Sequence, residues 1–181
     1  MLETQVKIRN IQFCVDTSQD SYGSQFWKSL EAEKWEPDVL SWLFQEVDAR
    51  TLFIDIGAAN GSFTLVAGAL GASVKSFEPH PMVFSILKRN VSLNPKMEKR
   101  IQCYCAAIGT HKTNVAFRRN SSPFLTRMTV LDSETNDSTD VVSLTDLLSQ
   151  TQEEKVLIKI DIEGAEFPLL SDRKASKFKK K

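Results

Sequence analysis

The feature that most constrains this chain is a short apolar run that ends in an acidic residue and a glycine-flanked bend, FIDIGAANGSFT at residues 53–64. Residues 51–56 predict a buried strand, and residues 62–70 predict a helix that closes at Gly71. Glycines at such a strand-to-helix turn let the backbone approach a ligand closely, and the helix N-terminus favours an anionic group. The segment is typical of a ligand-binding turn, although a purely structural tight turn has the same pattern.

Strands and helices alternate after this bend. Residues 73–77, 101–108 and 156–162 have the short apolar runs of strands, and residues 81–94 have the periodicity of a helix. This order is typical of a parallel sheet that is covered on both faces and joined by right-handed crossovers. The sequence therefore predicts an α/β fold, a Rossmann-like, doubly wound and mostly parallel sheet.

The segments around these strands have their own patterns. Residues 5–16 suit one or two short strands, and apolar residues recur through 26–47 with Pro37 in the first turn of a second helix. We interpret residues 1–50 as an N-terminal cap, 51–172 as the Rossmann-like domain and 173–181 as a basic tail. Between the third and fourth strands we expect a hairpin at 113–131, an exposed loop at 132–140 and a short helix at 142–148 with Ser143 as its cap.

Length and composition fit one globular domain of 181 residues with 41% hydrophobic side chains. The longest nearly apolar stretch, residues 63–74, is shorter than the roughly 20 residues that cross a bilayer, and no basic leader opens the chain, so we expect a cytoplasmic protein. The three cysteines predict free thiols, and no metal-ligand pattern is visible. Outside the basic tail, acidic residues outnumber basic ones, which argues against a nucleic-acid partner.

An acidic residue follows the second strand, at Glu78. It lies 23 residues after Asp55, close to the spacing at which a carboxylate accepts hydrogen bonds from both ribose hydroxyls in doubly wound sheets. An exposed charge at the end of a strand would look the same. Combined with the glycine bend, Glu78 predicts a ligand that contains a nucleoside.

Three ordered segments resemble the motifs of FkbM-family methyltransferases, which are class I enzymes that use S-adenosylmethionine (SAM). They are DIGAANGSFTL at 55–65, FEPHP at 77–81 with FSILKRNVSLN at 84–94, and IKIDIEGAEFPLL at 158–170; Trp35-Glu36 and SLTDLL at 143–148 are also similar. The resemblance implies SAM as the methyl donor and transfer to an oxygen of a sugar or small molecule. Where the family commonly has asparagine at the third position of its Gly-Ala-Asn motif, this chain has Ala59 followed by Asn60.

The resemblance, together with the positions of residues on the predicted strands, implies roles for individual side chains. Asp55 faces the ammonium group of the cofactor, directly or through water, and Glu78 holds the ribose. The turn cradles the methionine part through its backbone amides, and Ala107 and Ile108, at the end of the third strand, flank the adenine. The expected cofactor-binding residues are Asp55, Gly57, Ala58, Ala59, Asn60, Gly61, Glu78, Pro79, Ala107 and Ile108.

Asp161, at the end of the fourth strand, is the candidate catalytic residue. A carboxylate there is able to act as the base for a hydroxyl acceptor or to help bind a cation, and it is equally able to cap the next helix. Because the sulfonium already activates the methyl group, such an enzyme must chiefly align the acceptor with it.

The chain ends soon after this strand, whereas class I methyltransferases continue through three more strands. We therefore expect an incomplete fold with a hydrophobic strand edge at 156–162. A truncated chain, a fragment, an oligomer that pairs such edges and coverage by residues 113–131 all stay open. Two other functions stay open: a shortened, non-catalytic cofactor-binding or interaction module, and an NAD-dependent oxidoreductase, which would need the Gly-x-Gly-x-x-Gly turn that this chain lacks.

Overall fold

The computed structural model describes residues 3–18, 23–116, 138–162 and 166–171. In chain order, its elements are β1 (Glu3–Ile8), β2 (Ile11–Asp16), α1 (Gly23–Glu31), α2 (Pro37–Glu46), β3 (Thr51–Ile56), α3 (Ser62–Ala69), β4 (Ser73–Phe77), α4 (Pro81–Ser92), α5 (Pro95–Glu98), β5 (Ile101–Tyr104), β6 (Ala106–Gly109), β7 (Thr113–Ala116), β8 (Ser138–Ser143), α6 (Leu144–Ser149), β9 (Lys155–Ile160) and α7 (Glu166–Ser171).

A four-stranded parallel sheet lies at the centre, in the order β5-β4-β3-β9. The predicted α/β fold with a parallel sheet is confirmed. From β3 the chain builds outward through β4 and β5, and it then returns to place β9 on the other side of β3. Open α/β sheets bind ligands where the strand order reverses in this way, at the carboxyl ends of the strands. The topology therefore directs attention to the ends of β3 and β9.

Both faces of this sheet are covered, which explains why β3 is buried along its whole length. On one face Phe53 and Val74 pack in a cluster with α2, α3, α4 and the N-terminal strands. On the other face Ile54 and Phe77 pack with Leu144 of α6 and with residues of β6. Alternate residues of β3 thus serve two separate apolar clusters.

The N-terminal hairpin of β1 and β2 is fixed to the sheet domain by two asparagines, Asn90 of α4 and Asn94 at the N-cap of α5. Asn94 pairs with both backbone groups of Cys14, at 2.8 and 2.7 Å. The buried Asn90 accepts from the amide of Asp16 and donates to the carbonyl of Asn60, at 2.8 and 2.9 Å. Because Asn60 belongs to the glycine bend, α4 links the hairpin to that bend. The division of the chain at residue 50 stays a prediction.

Between β5 and β9 the structure differs from the expected single strand at 101–108. That segment divides at Cys105 into β5, in the parallel sheet, and β6, which joins a three-stranded sheet in the order β6-β8-β7. The hydroxyl of Thr139, in β8, donates to the carbonyl of Cys105 at the break. The local sequence does not reveal such a break, because the second half is set by pairing with β8, far along the chain.

The connection after β6 is described only in part. Residues 117–131 of the expected hairpin and residues 132–137 of the expected loop lie outside the described residues. Residues 138–140, expected in the loop, instead begin β8, which pairs with β6 and β7. The predicted short helix is α6, and the hydroxyl of Ser143 accepts from the amide of Asp146 at 3.3 Å, so the predicted cap is confirmed.

The helices in the described ranges are short. The longest of them, α4, has 12 residues, well under the roughly 20 of a membrane-spanning helix. None of them is both long and apolar enough to span a bilayer.

Candidate functional site

The glycine bend after β3 is built from residues with positive φ angles. Gly57, Ala59 and Gly61 have φ angles of 79°, 48° and 86°. A Cβ atom on Gly57 would lie 1.9 Å from the carbonyl oxygen of Asp161, and one on Gly61 would lie 2.7 Å from Cδ1 of Leu87. At these two positions the backbone is left-handed and other atoms approach it closely. Glycine suits both conditions because it has no Cβ atom. Asparagine tolerates the left-handed region better than alanine does, which explains why Ala59 is the unusual residue in the bend.

The backbone amides of this bend are used within the protein. Gly57 and Ala58 both donate to the carbonyl of Phe77 at 3.0 Å, and Gly61 donates to the carbonyl of Ala58 at 2.8 Å. Asn60 is buried, and its side chain accepts from the amide of Ser62. The expectation that these amides cradle a ligand stays a prediction, and in the structure the amides of Gly57, Ala58 and Gly61 donate within the protein.

Glu78 lies directly beside the bend. One carboxylate oxygen accepts from the amide of Ala59 at 3.0 Å, and the other accepts from the amide of His80 at 2.9 Å. Each oxygen of a carboxylate accepts two hydrogen bonds, so each keeps capacity for one more donor. The side chain is only 8% exposed, and this burial raises the pKa of Glu78 to about 7, against the effect of the two amides. A buried carboxylate with spare acceptor capacity suits a pair of hydroxyl donors.

An apolar crevice adjoins the bend at Gly57. It is lined by Gly57, Pro79, Ala107 and Ile108 together with the side chains of Ile56 and Ile162. Ala107 and Ile108 reach it from β6, and not from the end of the strand that pairs with β4. Four of the residues expected to contact the cofactor therefore share one crevice, although their positions come from two sheets.

Asp55 points to the opposite face of the sheet, towards α3. It is 1% exposed, and its Oδ2 atom accepts from the hydroxyl of Thr64 at 2.7 Å. Its Oδ1 atom is buried and has no hydrogen-bond partner among the residues that the structure describes. Burial raises the pKa of Asp55, whereas the neighbouring ammonium group of Lys159 acts to lower it. An unpaired buried carboxylate oxygen is costly unless a donor reaches it.

Asp161 follows β9 and touches the bend through its backbone. Its amide donates to the carbonyl of Ile56 at 2.9 Å. Its half-exposed carboxylate lies 3.2 Å from the ammonium group of Lys159, which is only 10% exposed and sits 5.3 Å from the ring centroid of Phe63. The structure thus brings Asp161 next to Gly57 and to the face that holds Asp55.

These features place a glycine bend, the buried Glu78 carboxylate and an apolar crevice close together. The sequence of residues 55–180 matches the model of the methyltransferase FkbM domain, which is more than half of the chain. This chain belongs to the FkbM methyltransferase family. All the candidate site residues lie within the matched range.

The FkbM-family chain is also similar to solved structures. One is the crystal structure of P. horikoshii TYW2 in complex with MeSAdo, with 22% identity and a TM-score of 0.39 over 56% of this chain and 35% of that chain. Another is PH0793, a transferase candidate from Pyrococcus horikoshii, with 18% identity and a TM-score of 0.39 over 61% of this chain and 44% of that chain. The chain thus spans less than half the length of either protein. No curated protein matches the sequence.

Sequence reasoning missed one residue of this FkbM-family site, Lys159. Its signal was its spacing, because a residue two positions before Asp161 in a strand has its side chain on the same face. Lys159 pairs with Asp55 in the β3–β9 register, which puts an ammonium group between two expected site carboxylates. The lysine therefore belongs to the candidate site.

The raised pKa of Glu78 predicts an unusual dependence of stability on pH. The folded protein holds this proton up to about pH 7, whereas the unfolded chain releases it near 4.5. The resulting stabilisation is fully present below pH 4.5 and is lost as the pH rises to about 7, which amounts to about 3 kcal/mol. We expect urea unfolding to show that, between pH 5 and pH 8, the free energy of unfolding falls by about 2 kcal/mol less in Glu78→Gln than in the wild type. Equal losses of unfolding free energy in the two proteins would contradict a raised pKa of Glu78 in the folded protein.

Proposed function

We propose that the protein is a SAM-dependent methyltransferase that methylates a hydroxyl oxygen of a sugar or another small molecule. The observation that supports it most is the convergence of the Gly57 bend, the Glu78 carboxylate and the apolar crevice at one edge of the sheet. FkbM-family membership supports the reaction class.

The residues present fit SAM. The glycines of the bend let the backbone of Asp161 and the side chain of Leu87 pack directly against it, which holds the bend beside Glu78. The ribose hydroxyls would donate to the free acceptor positions of Glu78, and the adenine would enter the crevice between Pro79 and Ile108. When bound, SAM supplies an electrophilic methyl group on a sulfonium.

Asp161 is the proposed catalytic residue. Its carboxylate is half exposed at the end of β9, beside the strand-order reversal, and an acceptor hydroxyl would reach it from solvent. The ammonium group of Lys159 donates a hydrogen bond to this carboxylate and fixes its position. The proposal includes a small-molecule or glycan acceptor, a cytoplasmic location, no nucleic-acid partner, and self-association through the β9 edge of the sheet.

Calorimetric titration with SAM and with NAD tests the cofactor. Both ligands contain adenosine, but only SAM carries the cationic methionine part, so we expect saturable binding of SAM and none of NAD. Binding of NAD alone would overturn the methyltransferase proposal in favour of an oxidoreductase. Absence of binding by both ligands would overturn it in favour of a non-catalytic interaction module.

A further inference from the structure

The segment at 84–94 contains two asparagines to which the proposed site gives no role, Asn90 and Asn94. Asn90 lies in α4 and is completely buried, and Asn94 lies at the start of α5. A buried side-chain amide is costly unless its oxygen and its nitrogen are both hydrogen-bonded. Both atoms of Asn90 have partners, and these partners come from two parts of the chain that are distant in sequence.

The side chain of Asn90 joins the N-terminal hairpin to the glycine bend. Its Oδ1 atom accepts from the amide of Asp16 at 2.8 Å, and its Nδ2 atom donates to the carbonyl of Asn60 at 2.9 Å. The two atoms belong to one planar carboxamide group, so the direction of one bond constrains the direction of the other. The hairpin therefore helps to set where the donor of Asn90 points.

Helix α4 meets the bend at two adjacent points. Besides the bond from Asn90 to Asn60, the side chain of Leu87 lies so close to Gly61 that a Cβ atom there would be 2.7 Å from its Cδ1 atom. Leu87 and Asn90 are three positions apart and thus lie on one face of the helix. An apolar contact has no preferred direction, whereas a hydrogen bond has one. Asn90 therefore fixes the orientation of the peptide group between Asn60 and Gly61.

The residue before Asn60 has an unfavourable backbone conformation. Ala59 has a φ angle of 48°, in the left-handed region that is costly for alanine. Its side chain is exposed, so it has no buried packing to offset this cost. Such a conformation persists where the surrounding structure enforces it. Two hydrogen bonds do so from either side, one from the amide of Ala59 to Glu78 and one from Asn90 to the carbonyl of Asn60.

We propose that Asn90 is a positioning residue for the cofactor site, which keeps Ala59 left-handed and couples the glycine bend to the N-terminal hairpin. This inference rests on the SAM site proposed above. Without the bond from Asn90, the backbone at Ala59 relaxes and its amide moves away from Glu78. The carboxylate that would accept from the ribose then loses one of the two amides that orient it. Asn90 acts through the bend and does not itself contact SAM.

Asn90→Ala and Asn94→Ala form a matched pair for calorimetric titration with SAM. Both substitutions remove bonds to the hairpin, since Asn94 pairs with the backbone of Cys14 at 2.8 and 2.7 Å. Asn94 also donates to the backbone carbonyl of Asn90, but its printed bonds do not include the glycine bend. We expect both variants to be less stable in urea, Asn90→Ala to bind SAM about tenfold more weakly, and Asn94→Ala to bind it as the wild type does.

Rescue by Ala59→Gly distinguishes positioning from general stability. Glycine adopts the left-handed conformation without cost, so the bend then depends less on Asn90. In a double-mutant cycle, Asn90→Ala should weaken SAM binding about tenfold in the wild type and less than about threefold in the Ala59→Gly background. If Asn90 only stabilises α4, the two losses of affinity will be equal, and the inference will be wrong.

Hydrogen exchange of the wild type gives a readout that needs no substitution. The amide of Asp16 is bonded to the same carboxamide that fixes the bend, whereas the amide of Cys14 is bonded to Asn94. Because coupling between two sites is reciprocal, SAM binding at the bend should slow exchange at Asp16 more than at Cys14. This measurement decides the question if Asn90→Ala does not fold, since equal slowing at the two amides would contradict the coupling.

Unchanged SAM affinity in Asn90→Ala would overturn this inference and leave the proposed SAM site intact. Equal weakening in Asn90→Ala and Asn94→Ala would also overturn it, because a loosened hairpin would then explain both losses. If the wild type binds no SAM, the proposed function itself fails, and the inference fails with it.

Discussion

Gly57→Ala is expected to abolish measurable SAM binding and to lower the free energy of unfolding by about 3 kcal/mol. The left-handed φ of 79° costs a side chain roughly 1–2 kcal/mol. In addition, the new Cβ atom would lie 1.9 Å from the carbonyl oxygen of Asp161. That carbonyl belongs to backbone and cannot rotate away, because the amide of the same residue is bonded to Ile56. The carboxyl ends of β3 and β9 would have to separate, and this separation would distort the bend.

Gly71→Ala is the matched control for this substitution. Gly71 also has a positive φ, 105°, but a Cβ atom there would make only ordinary contacts at 3.6 Å with Ala49. It lies after α3, at the opposite end of that helix from the bend. Calorimetric titration and urea unfolding should therefore show a loss of stability without a loss of affinity. If both variants bind SAM equally well, the close approach at Gly57 is not part of the site.

Glu78→Ala is expected to weaken SAM binding by about 100-fold. Two ribose hydroxyls would each lose a hydrogen bond to a buried carboxylate, and bonds to charged groups contribute about 1.5–3 kcal/mol each. The substitution also frees the amide of Ala59, which holds the bend against Glu78. Titration of the variant with SAM measures the loss directly.

Two comparisons make this test specific. Glu98→Ala removes an exposed carboxylate from the short helix α5 and should leave SAM affinity unchanged. Adenosine should lose affinity in Glu78→Ala as SAM does, whereas free adenine, which has no ribose, should bind both proteins alike. Wild-type affinity for SAM in Glu78→Ala would remove Glu78 from the site.

The strands and helices around the site could be read from the sequence because each has a strong local signal. The continuous apolar run at 51–56 is buried by both neighbouring layers, and Pro37 and Pro81 begin helices where their fixed φ is suited to the first turn. The distance from Asp55 to Glu78 follows from one strand-helix-strand unit, so the position of the second carboxylate was also predictable.

Other parts of the site had no local signal. The break at Cys105 has no local signal, and only pairing with β8, more than thirty residues later, shows that Ala107 and Ile108 belong to a second sheet. The use of the bend amides within the protein depends on the carbonyl of Phe77 and the side chain of Glu78, which lie across the β3–β4 seam.

The sequence alone determined the succession of elements, the parallel sheet and the two features that suggest a nucleoside, because burial, backbone sterics and turn chemistry act over a few residues. Only the tertiary structure decided that β9 lies beside β3, that Gly57 meets the backbone of Asp161, and that Lys159 lies beside Asp55. Those contacts join residues that are about 100 positions apart in the chain, and their geometry is set by how whole layers pack.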